Sequence, residues 1–108
     1  MNSKILSLLG LARRAGRLAP GHDAAIESIV RNKAALCVLC SDASERLERE
    51  MKHACCYKNK NIPVVKADFE IKELSAAIGT KAAVISVNDE GFSKKLLSML
   101  EQEIQRKE

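Results

Sequence analysis

The chain has 108 residues, 46% of them apolar and 30% charged. That suffices for one compact core with a wet surface and excludes a disordered polar tail. No apolar run approaches the roughly 20 residues of a membrane-spanning helix, and the formal charge of +4 is too small to define a partner by itself.

The opening Met-Asn-Ser-Lys leads into Ile5 and Leu6, but Arg13, Arg14 and Arg17 follow where a signal peptide would need small residues and a cleavage site. A cytoplasmic protein with one domain over residues 1–108 is expected. Ser3 can cap a first helix with Ile5, Leu8, Leu9, Ala12 and Ala15 on its apolar face, ended by Gly16. Arg17 to Ala19 reads as an edge strand, because Pro20 would spoil a central one. Gly21, His22 and Asp23 form a turn into a second helix, Ala24 to Arg31, with Ile26, Ile29 and Val30 inward and Asn32 as its stop.

Ala35 to Cys40 is a continuous apolar run, the pattern of a strand buried on both faces. Asp42 with Glu45 reads as a capping box for a third helix whose buried stripe is Leu47, Met51, Ala54 and Cys55. Glu45–Arg49 and Glu48–Lys52 are spaced for ion pairs on its outer face. After a turn at Asn59 to Asn61, Ile62 to Val65 is a short strand. Asp68 is placed to cap a fourth helix carrying Ile71, Leu74 and Ile78, closed by Gly79. Ala82 to Val87 is a second buried strand. Asn88 and Asp89 cap the last helix, with Phe92, Leu96, Leu100 and Ile104 inward. Such alternation predicts an α/β fold: a three-layer α/β/α sandwich.

Catalytic and metal chemistry find little support. Cys37 and Cys40 match C-x-x-C, with Cys55, Cys56 and His53 further on. Positions three apart in a strand point to opposite faces, so that pair can neither share a metal nor readily form a disulfide. Buried thiols acting as small hydrophobes are expected instead. His22 and His53 lie in unrelated contexts, no nucleophile elbow is present, and neither a Walker sequence nor G-x-G-x-x-G occurs. No catalytic residue, metal, cofactor or small-molecule substrate is expected.

Charge distribution says more than net charge. Within residues 1–41 the bases Lys4, Arg13, Arg14, Arg17, Arg31 and Lys33 stand against Asp23 and Glu27, and the remainder is balanced. A localised basic surface suits a polyanion, although a solvated helix face would look the same. The turn at Gly21 and His22 offers backbone amides at a helix start, where an anion is favoured. In the plainer alternative, Gly21 permits the turn and Asp23 caps the helix. With aromatics at 3%, stacking of a long single strand is disfavoured and folded RNA fits better.

Leu9 to Gly16, Gly21 opening a helix, Ala34 to Leu39 running into Ser41 to Ser44, Ile62-Pro63, Glu73 to Gly79 and Val87 to Phe92 together resemble the ribosomal protein L-seven-Ae family, in particular a small bacterial branch of it. The resemblance spans nearly the whole chain. It implies the α/β/α fold around a mixed four-stranded sheet, and binding to kink-turn motifs in ribosomal or other structured RNA. Kink-turn binders open this helix with Gly-x-Asn-Glu and a Lys three residues on. Here those positions hold Gly21, Asp23, Ala24 and Glu27, so only the glycine is kept. Their second contact, an apolar loop after the fourth helix, is here the more polar Gly79 to Ala82.

The resulting expectation is a non-enzymatic protein that binds structured RNA, ribosomal RNA and the ribosome included, with no membrane partner. Gly21 and His22 would cradle a phosphate beside Asp23. Arg13, Arg14, Arg17, Arg31 and Lys33 would contact phosphates, with Lys81 an outer contact. The rival reading is a protein-interaction module that has lost kink-turn recognition, presenting Leu97 and Met99 of the last helix to a partner.

Overall fold

Helix and strand alternate along residues 3–107, the part described by the computed structural model, with side chains described as far as Gln102. The order is α1 (Ser3–Arg14), β1 (Leu18–Pro20), α2 (His22–Val30), β2 (Leu36–Leu39), α3 (Glu45–Cys56), a 3-10 turn (Tyr57–Asn59), β3 (Val64–Lys66), α4 (Ile71–Ile78), β4 (Val84–Val87) and α5 (Glu90–Lys107). The strands form one sheet in the order β1-β4-β2-β3. β4 runs antiparallel to β1 and β2, while β2 and β3 are parallel. The mixed sheet and the α/β/α layering are both as expected.

The two inner strands are buried on both faces, and their alternate residues feed separate cores. On one face Leu36, Val38, Ile85 and Val87 pack with Ile5 and Leu9 of α1, Leu74 and Ile78 of α4, and Leu96 and Leu100 of α5. On the other, Cys37, Leu39 and Val84 pack with Ala25 and Ile29 of α2 and Met51 and Cys55 of α3. Gly10 lets α1 approach α4 closely: a Cβ there would stand 3.0 Å from the Ala77 carbonyl oxygen.

β1 is an edge strand that includes Pro20. Arg17 accepts from the Asn88 N–H and Gly21 donates to the Val84 carbonyl, so alternation aims the Pro20 nitrogen away from β4. The missing donor therefore costs the sheet nothing.

Several local expectations are corrected. Asp42 does not cap α3. Ser44 does, its hydroxyl accepting from Leu47 N–H at 3.1 Å. The Asp42 carboxylate instead crosses to α4 and accepts from Ile71 N–H at 2.8 Å. There Glu70 takes the cap position expected of Asp68, and its own N–H donates to Glu73. On α2 the buried face is Ala25, Ser28 and Ile29. Val30, expected inward, lies one further step round the helix and is 65% exposed. Ala15 is exposed beyond the end of α1. Leu97 and Met99 are half-buried, each packed against the core on one side and lining an open surface groove on the other. Gly79 ends α4 with a left-handed φ of 79°, and Asp89 accepts from Phe92 N–H at 2.8 Å, both as expected. Ile104 lies outside the residues whose side chains are described.

Candidate nucleic-acid interface

The sheet has two chemically different ends, and strand direction decides which residue goes to which. β1, β2 and β3 start where β4 finishes. At that end stand Arg17, hydrogen-bonded to Asn88, and Ala35, hydrogen-bonded to Val87. At the other end Gly21 meets Val84 and Cys40 meets Ala83. Arg17 and Gly21 are four residues apart along extended chain, which separates them by about 13 Å.

Arg13 and Arg14 occupy the last turn of α1, where cations complement the helix dipole, and lead directly into Arg17. All three are exposed and have no acidic partner among the described residues. Arg31 and Lys33 follow the far end of α2, because that helix returns the chain to the start of β2. Arg31 is paired with Glu27 at 3.2 Å, and Lys33 is exposed. The five expected phosphate contacts therefore share one end of the molecule.

They do not converge on the glycine-led helix start, which contradicts the expected geometry. The Gly21 amide is also not available to a phosphate, since it donates to the Val84 carbonyl at 2.8 Å. Gly21 is the N-cap of α2, with φ 94° and ψ 164°, and supplies no side chain to the first turn. The amides left without an acceptor by helix geometry are those of His22, Asp23 and Ala24. Asp23 lies inside the helix rather than capping it, because α2 begins two residues earlier than the sequence suggested.

This end is also rich in carboxylates. His22 Nδ1 lies 2.9 Å from Asp23 Oδ1, and His22 Nε2 lies 2.7 Å from Glu50 Oε2. The Asp23 hydrogen bond first, then that of Glu50, raises the His22 pKa above its ordinary value. The His22 hydrogen bond in turn lowers Glu50. Asp42, Glu70 and Glu73 gather at the α4 start on the same end. Lys81, before β4, is an exposed cation here, remote from the arginines.

Residues that sequence reading missed extend the basic end. β3 starts beside β2, so the turn that precedes it, with Tyr57, Lys58 and Lys60, comes to the Arg17 end. The Lys60 ammonium donates to the Asn32 side chain, which ties this turn to the end of α2. The only signal was the balance of Lys over acid around Asn59; strand direction supplies the rest.

Cys37 and Cys40 point away from chemistry. Cys37 and Cys40 face opposite cores, as expected of a strand. Hydrogen bonding to the Cys55 thiol, then burial, raises Cys37; burial, with Asp42 and Glu73 adding, pushes Cys40 up to about 12. Thiols held above their ordinary value are poor nucleophiles and poor ligands.

Residues 3–97 match the model of the Ribosomal protein L7Ae/L30e/S12e/Gadd45 family. The chain is 33% identical to "RNA-binding protein YlxQ" of Enterococcus faecium, over 91% of this chain and 92% of that one. It is 36% identical to "RNA-binding protein YlxQ" of Bacillus subtilis (strain 168), over 87% and 92%. Among solved structures, a protein of unknown function from Bacillus halodurans superposes with a TM-score of 0.81 at 34% identity, covering 89% of this chain and 95% of that one. A Giardia lamblia 15.5kD RNA binding protein shares the fold, with a TM-score of 0.72 at 20% identity over 91% and 85%. Sequence and architecture therefore agree that this chain belongs to the Ribosomal protein L7Ae/L30e/S12e/Gadd45 family.

Proposed function

We propose that this protein is a non-catalytic binder of structured RNA, ribosomal RNA included, and that it holds its target mainly through phosphates. The observation that carries the reading is the gathering of Arg13, Arg14, Arg17 and Lys33 at one end of the sheet without acidic partners among the described residues. Relatives named as RNA-binding proteins support it. A kink-turn target is less well served. The α2 start pairs His22 with two carboxylates and places Glu27 where a cation would meet phosphate.

Filter binding of a structured ribosomal RNA fragment across a salt series tests this. Phosphate-dominated binding weakens as salt rises, with the slope of log K set by the phosphates engaged. Replacing Arg13, Arg14 and Arg17 by Ala flattens the slope by about 2–3, while Lys81→Ala changes it by no more than about 1. An unchanged slope in the triple variant would clear the arginines of this role.

A further inference from the structure

We infer that the turn after α3 is a second, distinct element of RNA contact, in which an unpaired base stacks on Tyr57 while Lys58 and Lys60 hold its flanking phosphates. The inference rests on the RNA reading above and adds to it a preference for unpaired nucleotides next to a paired stem.

Tyr57 is the chain's only tyrosine, and there is no tryptophan. Phe69 is fully buried and Phe92 half-buried, so among the rings of Phe and Tyr only that of Tyr57, 54% exposed, is offered to solvent. The ring belongs to neither buried cluster, so core packing does not account for it. Its surroundings are those of a stacking platform. The His53 ring lies 5.5 Å away, tilted by 39°, and the Lys58 ammonium lies 5.7 Å from the ring centroid. Both neighbours are exposed, so a base can displace either without uncovering the core.

The backbone of the turn holds this arrangement at some cost. Lys58 has φ 55° and Asn59 φ 65°, both in the left-handed region that bulky side chains avoid. Here the strain projects Lys58 beside the ring, and the bond from Lys60 to Asn32 anchors the turn against α2. The turn also stands on the basic end. From β1 to β3 is three strand spacings, about 14 Å. A row of cations thus runs from Arg17 through Lys33 to Lys60 and Lys58 and ends on an aromatic ring, with Glu90, which lines a groove together with Ala34 and Asn61, as an acid set beside it. Phosphates along a stem would follow the row, and a base leaving the stem would meet Tyr57. A lone ring suits one or two bases rather than a long strand.

The test uses the full chain and two RNA hairpins, identical except that one carries a single bulged adenosine. The wild type is expected to bind the bulged hairpin more tightly and to lose tyrosine emission on binding it. Tyr57→Phe keeps the preference, while Tyr57→Leu weakens the bulged hairpin roughly five- to a hundred-fold and leaves the paired hairpin unchanged. An abasic site at the bulge reproduces the loss in the wild type. Equal wild-type affinity for both hairpins, or equal loss of both in Tyr57→Leu, overturns the stacking site while leaving phosphate-driven binding intact. Failure of the wild type to bind either hairpin even at low salt overturns the RNA reading itself.

Discussion

His22 and Glu50, 28 residues apart in sequence, meet across α2 and α3 at 2.7 Å, and this pair gives the folded state a pH dependence. The Asp23 and Glu50 carboxylates raise the His22 pKa, so its contribution is complete below about pH 6.5 and fades as pH climbs through the raised value. Glu50 is lowered, so its contribution is present above the ordinary carboxylate range and fades as acid titrates it. The gap in melting temperature between wild type and His22→Ala should therefore narrow as pH rises from about 6 to about 8. A gap that stays constant over that range would show the pair to be energetically silent.

Gly21 combines φ 94° with ψ 164°, a region almost closed to residues with a Cβ, although nothing lies within 4 Å of where that Cβ would go. Gly21→Ala should destabilise the fold by about 1–3 kcal/mol from backbone strain alone. Denaturant unfolding measures this. Since the arginines lie at the other end, phosphate-driven RNA binding by the folded fraction should be unchanged.

The Asp42 carboxylate serves a helix 29 residues away, accepting from the first amide of α4. Asp42→Ala should cost about 1 kcal/mol, in the range of a lost helix cap. Ser44→Ala, which removes the local α3 cap, should cost a similar amount. Thermal melts of the two variants and their double would show near-additive losses, because the caps share no partner.

Thiol accessibility gives a fourth check. Cys56 is exposed, while Cys37, Cys40 and Cys55 are buried. A thiol reagent at neutral pH should modify one cysteine promptly in the native protein and all four only after unfolding. Prompt loss of more than one thiol would contradict the two-core packing.

Sequence periodicity revealed much of this architecture and little of the interface. Ile5, Leu9 and Ala12, or Leu96 and Leu100, announce their helices because burial repeats with the helical period. Cys37 and Cys40 could be assigned to opposite faces because a strand alternates. Asp42 reads as a cap for α3 because a carboxylate three residues before a glutamate satisfies the local rule equally well; the competing amide at Ile71 is nearby only after folding. The arginines were legible as a group, but their distance from Gly21 was not. That distance depends on β1 running its length between them, and local pattern carries no information on which end of a strand another element returns to.

The division of charge between the two sheet ends reaches beyond contact distance. Cations outnumber carboxylates at the Arg17 pole, where Glu27, Asp89 and Glu90 also stand, while carboxylates gather at the Gly21 pole beside Lys81, and this imbalance gives the molecule an electric moment along its strands. In the field of a polyanion it will rotate during diffusion, bringing the Arg17 pole forward and the His22 pole to the rear. For the RNA contact proposed above, productive encounters then make up a larger share of collisions than chance orientation would allow, and added electrolyte erodes that advantage before it erodes any single bond.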